Sequence, residues 1–106
     1  MLIARSWHGA TKAAQAEEYL SYLHATGLDD IQKVEGNRGV LVLRKIDADR
    51  AHFQLISFWD SYDAIRRFAG DAIERAVYYP EDKEYLLELE PEVAHYDVVF
   101  QSGDVP

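Results

Sequence analysis

Polar and apolar residues alternate from Leu2 to Trp7, which places Ile3, Arg5 and Trp7 on one face of a strand and Leu2, Ala4, Ser6 and His8 on the other. His8-Gly9 is expected to break that strand. Thr11 offers a hydroxyl for an N-cap, and Ala16, Tyr19, Leu20 and Leu23 follow at i, i+3, i+4 and i+7. That stripe predicts an amphipathic helix, which Gly27 can end in a left-handed conformation. Leu28 to Val34 has a mixed pattern. Gly36-Asn37-Arg38-Gly39 signals a turn, and Val40-Leu41-Val42-Leu43 then reads as a strand buried on both faces. Polar Asp47-Ala48-Asp49-Arg50 separates it from a further strand, His52 to Trp59, as a hairpin with a loop of about four or five residues.

In the second half, Asp60 or Ser61 caps a helix whose apolar residues Ile65, Phe68, Ala69, Ala72, Ile73 and Ala76 keep a helical period through Gly70. A kink or restart is expected at Asp71. Tyr78-Tyr79-Pro80 interrupts the pattern, Glu81 to Leu89 predicts one more short helix closed by Pro91, and Ala94 to Phe100 predicts the closing strand. The order is βαββαβ, an α+β fold with a four-stranded antiparallel sheet. Helices can cover only one face of such a sheet, so a doubly buried Val40–Leu43 strand requires a second sheet. A face-to-face homodimer supplies it, because twofold symmetry makes one apolar patch its own complement.

The length of 106 residues fits one domain, residues 1–100, with residues 101–106 as a loose C-terminal tail. A chain of this size buries only about 60 to 70 per cent of its unfolded surface, which adds weight to pairing. Apolar residues make up 48% and charged residues 28%, a globular balance, and no apolar run approaches the roughly 20 residues of a membrane span. Met1 leads straight into strand residues with no secretory pattern, so a soluble, cytoplasmic protein without membrane association is expected. The absence of cysteine removes disulfides, thiolate nucleophiles and thiolate-bound metals. A net charge of −8 repels phosphate backbones, so nucleic acid is not an expected partner.

No G-x-S-x-G elbow, H-E-x-x-H helix, P-loop or dinucleotide glycine fingerprint occurs. His8, His24, His52 and His95 never fall at i, i+4 on one helix, so no metal site is expected. His95, at the start of the closing strand, is a candidate proton acceptor near neutral pH, against the plainer reading of a hydrogen-bonded strand-end histidine. Trp7, Phe58, Trp59, Phe68, Tyr78 and Tyr79 cluster around strand ends and helix starts, where sheet and helices splay. Trp7, Phe68, Tyr78 and Tyr79 are candidate walls of a pocket for a small hydrophobic molecule, although aromatics of a small domain also serve as core, the favoured reading of Phe58 and Phe68. Arg5 and Arg44 lie among apolar strand residues and are candidate partners for an enolate or phenolate oxygen, or strand-end charges that reach water.

Several stretches together carry a resemblance: Ile3-Ala4-Arg5-Ser6-Trp7, Gly36-Asn37-Arg38-Gly39-Val40, Trp59-Asp60-Ser61-Tyr62-Asp63-Ala64-Ile65, Ala76-Val77-Tyr78-Tyr79-Pro80-Glu81-Asp82 and Val93-Ala94-His95-Tyr96. The chain resembles the antibiotic biosynthesis monooxygenase family of dimeric α/β barrels from about Leu2 to Val99. The resemblance implies a ferredoxin-like fold whose sheets pack in pairs, and a cofactor-free oxygenase acting on an aromatic, polyketide-like substrate. It also implies a pocket role for Trp59, so that Trp59, His95 and Arg44 become the expected catalytic residues. A non-catalytic ligand-binding or stress-related dimer, and a haem-binding relative, are the alternatives. The haem-degrading relatives carry an axial histidine on the helix after the tryptophan, and Tyr62 to Ile73 contains none.

Overall fold

The computed structural model describes residues 1–105; Pro106, the last residue of the expected tail, lies outside the described residues. Four strands, β1 (Ile3–Lys12), β2 (Asn37–Asp47), β3 (Arg50–Trp59) and β4 (Ala94–Asp97), pair antiparallel in the order β2-β3-β1-β4. The ends of the chain therefore meet at the sheet, with β1 between β3 and β4. This is the ferredoxin-like α+β arrangement expected from the sequence.

β1 does not stop at His8-Gly9. Every residue from Ile3 to Lys12 has a partner on β3, with Gly9 opposite Phe53. Gly9 is there for space, since a Cβ would run into the Trp7 ring. Thr11 consequently lies within the strand and caps nothing; its hydroxyl donates to the Lys12 carbonyl. The chain passes through a 3-10 turn, Ala13–Gln15, into α1 (Ala16–Ala25), which buries Ala16, Tyr19 and Leu23 on the expected stripe. A break at Thr26 follows, and Gly27 opens α2 (Gly27–Lys33) instead of ending α1. The mixed segment is thus a helix whose buried apolar side chains, Leu28 and Ile31, make only a narrow stripe.

Gly36 adopts φ +98, and a Cβ there would meet that of Ala64 on α3 (Tyr62–Ala69), so this turn must be glycine on two grounds. The β2–β3 hairpin is tighter than expected. Asp47 pairs with Arg50 and only Ala48-Asp49 lies between, with Ala48 at φ 55. Within the chain β2 is not doubly covered: Val40 and Val42 are half-buried beneath the helices, while Leu43 on the opposite face is 49% exposed.

Ser61 caps α3, its hydroxyl accepting from the Ala64 amide at 3.2 Å. The helix then ends at Ala69, because Gly70 turns to φ +81, and the helical period read through Ala76 is not realised. Residues 70–81 form a loop instead, and Arg5 bonds the Ile73 and Arg75 carbonyls that a helix would have used. The last helix, α4 (Asp82–Tyr85), is shorter than Glu81–Leu89, since the Leu87 amide donates to the Ala10 carbonyl at the edge of β1. β4 ends at Asp97, three residues before Phe100; one further bond runs from the Val98 amide to the Leu2 carbonyl.

The core lies between the helices and one sheet face, with Tyr19, Phe53, Trp59 and Ile65 fully buried. By strand alternation the other face carries Leu41, Leu43, Ile56 and Tyr96 together with His8 and His52. Among the described residues no helix is long and apolar enough to cross a membrane.

Candidate functional site

The covered side of the sheet does not close completely. Arg5 and Trp7 of β1 and Leu55 and Ser57 of β3 point to the same side, forming the floor of a cleft. Leu23 of α1 and Ile31 of α2 roof one end, Val77–Tyr79 and Asp82 the other, and Phe68 of α3 forms a wall. The space enclosed by the cleft is about 50 Å³, and it opens to solvent at its mouth.

Its aromatic residues are fixed by hydrogen bonds. The Trp7 Nε1–H donates to the Tyr78 hydroxyl at 3.1 Å, and that hydroxyl donates to the Glu90 carbonyl at 2.5 Å. The two rings meet edge to face with centroids 6.2 Å apart. Tyr79 donates its hydroxyl to Asp30 of α2 at 2.6 Å, tying the loop to the helix above it. Burial pushes the Tyr78 and Tyr79 phenols up, and Asp30 adds to the effect on Tyr79.

Asp82 brings an ionisable group into this wall. Its Oδ1 accepts from the Tyr19 hydroxyl at 3.0 Å and its Oδ2 from the Tyr79 amide at 2.7 Å. Burial raises its carboxyl above the ordinary carboxylate range, and the two hydrogen bonds only partly offset that. Tyr19, buried against the same carboxylate, is pushed up further.

On the cleft floor Arg5 is 4% exposed. Its Nη1 donates to the Ile73 carbonyl at 2.5 Å and lies 3.0 Å from Nε2 of His95; its Nη2 donates to the Arg75 carbonyl at 2.9 Å. Because a guanidinium only donates, Nε2 of His95 is the acceptor and the imidazole is neutral with its proton on Nδ1. Burial, and then the charge of Arg5, lower His95 below the ordinary histidine value. Burial likewise lowers Arg5 itself to about 10.

Of the residues singled out in the sequence, Trp7, Phe68, Tyr78 and Tyr79 line the cleft together. Trp59 is 0% exposed and lies one layer behind: its Nε1–H donates to the Ser57 hydroxyl at 2.8 Å and its ring stacks on Phe68 with centroids 6.0 Å apart. His95 reaches the cleft only through Arg5. Arg44 belongs to a separate groove with Leu20, His24 and Val42, where it is ion-paired to Glu17 at 2.6 Å. Sequence reasoning missed Asp82, Tyr19 and Ser57. Asp82 sits in the first turn of α4, where an acid is ordinary, and no local pattern shows that Tyr19 reaches it from 63 residues away.

On the uncovered face His8 contacts Glu90 through Nδ1 and lies 3.2 Å from His52 Nδ1 through Nε2. Among the described residues no group of three His, Cys, Asp or Glu side chains converges as a metal-ligand set. The α3 helix holds no histidine.

No protein-family model matches the sequence, and no curated protein matches it. Solved structures do share the fold. A candidate antibiotic biosynthesis monooxygenase from Bacillus cereus superposes with a TM-score of 0.68 at 14% identity, over 96% of this chain and 97% of that one. SnoaB, a cofactor-independent oxygenase from Streptomyces nogalater, gives 0.58 at 14% identity over 94% and 95%. A haem-degrading protein from Mycobacterium tuberculosis gives 0.57 at 17% identity over 97% and 100%. The chain thus has the fold of the family that its sequence resembles.

Proposed function

We propose that the chain binds a small, flat aromatic molecule in the cleft beneath the helices and oxygenates it without a cofactor, in the manner of the antibiotic biosynthesis monooxygenases. One observation carries this reading: the buried Asp82 carboxyl, its pKa raised, in a cleft walled by Trp7, Phe68, Tyr78 and Tyr79. A carboxylate whose affinity for a proton is raised by burial is a suitable base for a phenol or an activated methylene.

The chemistry needs little more. Asp82 takes a proton from the electron-rich substrate, and the resulting anion passes one electron to O₂. The substrate radical and superoxide combine, the proton returns to give a hydroperoxide, and loss of water leaves a carbonyl. The sum is one CH₂ and one O₂ to one C=O and one water. The aromatic walls exclude bulk water from the anion. In this scheme Asp82 takes the role of base, and His95 acts by positioning Arg5. Trp59 is a support behind Phe68 and Ser57, and Arg44, held by Glu17 in its own groove, has no part in the reaction.

The proposal includes a homodimer formed through the uncovered sheet face. Leu43 and Tyr96, 49% and 59% exposed on that face, support it. Oxygen uptake with a panel of anthrones and hydroquinones, in a chelated buffer with no added cofactor, tests the activity. Consumption above the protein-free rate with at least one substrate is the expected result. Tight binding of the same panel without uptake would leave a ligand-binding dimer with no turnover.

A further inference from the structure

Arg5 is a buried cation on which Glu74 acts only from beyond ion-pair distance. It takes part in none of the ion pairs among the described residues. A charge removed from water in this way is strongly unfavourable unless something answers it. Its bonds to the Ile73 and Arg75 carbonyls and to His95 hold the loop after α3 against the sheet, and they use three of its five N–H groups. Among the described residues the Nε–H and one Nη2 N–H have no protein acceptor. Anchoring the loop accounts for the three bonds, and the charge is answered only in part, by Glu74 from beyond ion-pair distance and by the Phe68 ring.

The neighbours of Arg5 complete a corner. Ser57 lies opposite it in the β1–β3 pairing, and the two side chains share the cleft floor. Ser57 is fully buried and its oxygen accepts from Trp59, which leaves its O–H proton without a protein acceptor among the described residues. The Arg5 guanidinium carbon is 5.9 Å from the centroid of the Phe68 ring, which places a flat apolar surface beside the donors. Cation, hydroxyl and ring together match the two ends of an aromatic acid.

We infer that the ligand of this cleft carries a carboxylate, bound by the free edge of Arg5 and the Ser57 hydroxyl, with its ring against Phe68. The inference rests on the cleft being a binding site for a flat hydrophobic molecule and adds the charge that molecule must bear. A monoanion fits better than a phosphate dianion, because Asp82 lines the same cleft, Glu74 acts on Arg5 from nearby, and the whole chain is at −8.

Isothermal titration of the full chain with 2-naphthoate and with its methyl ester separates the charge from the ring. Wild-type protein is expected to bind the naphthoate at least about tenfold more tightly than the ester, the range of one charge-assisted hydrogen-bond pair. Arg5→Gln, which keeps donors for the loop carbonyls, is expected to lose that preference while still binding the ester. Ser57→Ala, which leaves the cation in place, is expected to lose part of it. Equal binding of both probes by the wild type, or a preference untouched by both variants, would overturn the carboxylate and leave the hydrophobic cleft standing. Binding of neither probe would overturn both.

Discussion

Nη1 of Arg5 and Nε2 of His95 lie 3.0 Å apart across the β1–β4 pairing, where the two residues are direct partners. The lone pair of His95 is therefore engaged by a cation, and its folded pKa lies below the ordinary value of 6.5. In the unfolded chain His95 takes up its proton at higher pH than in the folded chain. Its contribution to stability is therefore present above about 6.5 and is lost as pH falls through the lower folded value. Histidine NMR titration should show one ring, absent from His95→Gln, that protonates below 6.5 and stays neutral at pH 7. Thermal melting of that variant should lose part of the decline in stability below neutral pH. A ring at position 95 that titrates at or above 6.5 would contradict the arrangement.

Asp82 gives a kinetic prediction of definite sign. As the base it must be ionised, and its carboxyl is raised by burial, so kcat/KM should climb with pH through a value above the ordinary carboxylate range. Asp82→Asn should lower the rate by about 10²-fold or more and remove that limb. Naphthoate binding by the variant would show that the cleft persists. A pH profile unchanged in the variant would assign the base elsewhere.

Trp59 should behave as a core residue. It is fully buried, bonded to Ser57 and stacked on Phe68. Trp59→Ala is expected to cost about 3–5 kcal/mol of stability, read by urea denaturation. Trp59→Phe keeps part of the stacking area and gives up the bond to Ser57 and the volume of the second ring. It should melt modestly earlier and bind naphthoate within severalfold of the wild type. Loss of binding with unchanged stability would instead make Trp59 a ligand contact.

Much of this fold was legible in the chain because its strands alternate cleanly: Ile3, Arg5 and Trp7 all face the covered side, as their period demands. The resemblance to antibiotic biosynthesis monooxygenases pointed to the same architecture, and the solved structures agree. The errors fall where tertiary contact overrides local pattern. Gly9 looked like a breaker and is a space for the Trp7 ring. The helical period after Gly70 was real as a pattern, yet Arg5, some seventy residues distant, claims the loop carbonyls. The aromatic walls of the site could be read because large side chains near element ends announce themselves. Asp82 and Ser57 could not, since nothing local tells a capping acid or a strand serine from one that faces a cleft.

The homodimer is tested on the uncovered face. Leu43→Asp leaves the helix-covered core untouched and, at an exposed position, should change the stability of the subunit by no more than about 0.5 kcal/mol. Sedimentation velocity should show dimer for the wild type and monomer for the variant. A wild type that sediments as monomer at all concentrations would remove the paired sheets from the proposal.

The most direct measurement follows dissolved O₂ and product absorbance together during turnover of an anthrone, with wild-type protein and Asp82→Asn in chelated, cofactor-free buffer. The expected result is one O₂ consumed for each quinone formed by the wild type, with the variant slowed to near the protein-free rate. Oxygen uptake by the wild type no faster than in buffer, or uptake that begins only when haem or a metal is added, would contradict cofactor-free oxygenation in this cleft.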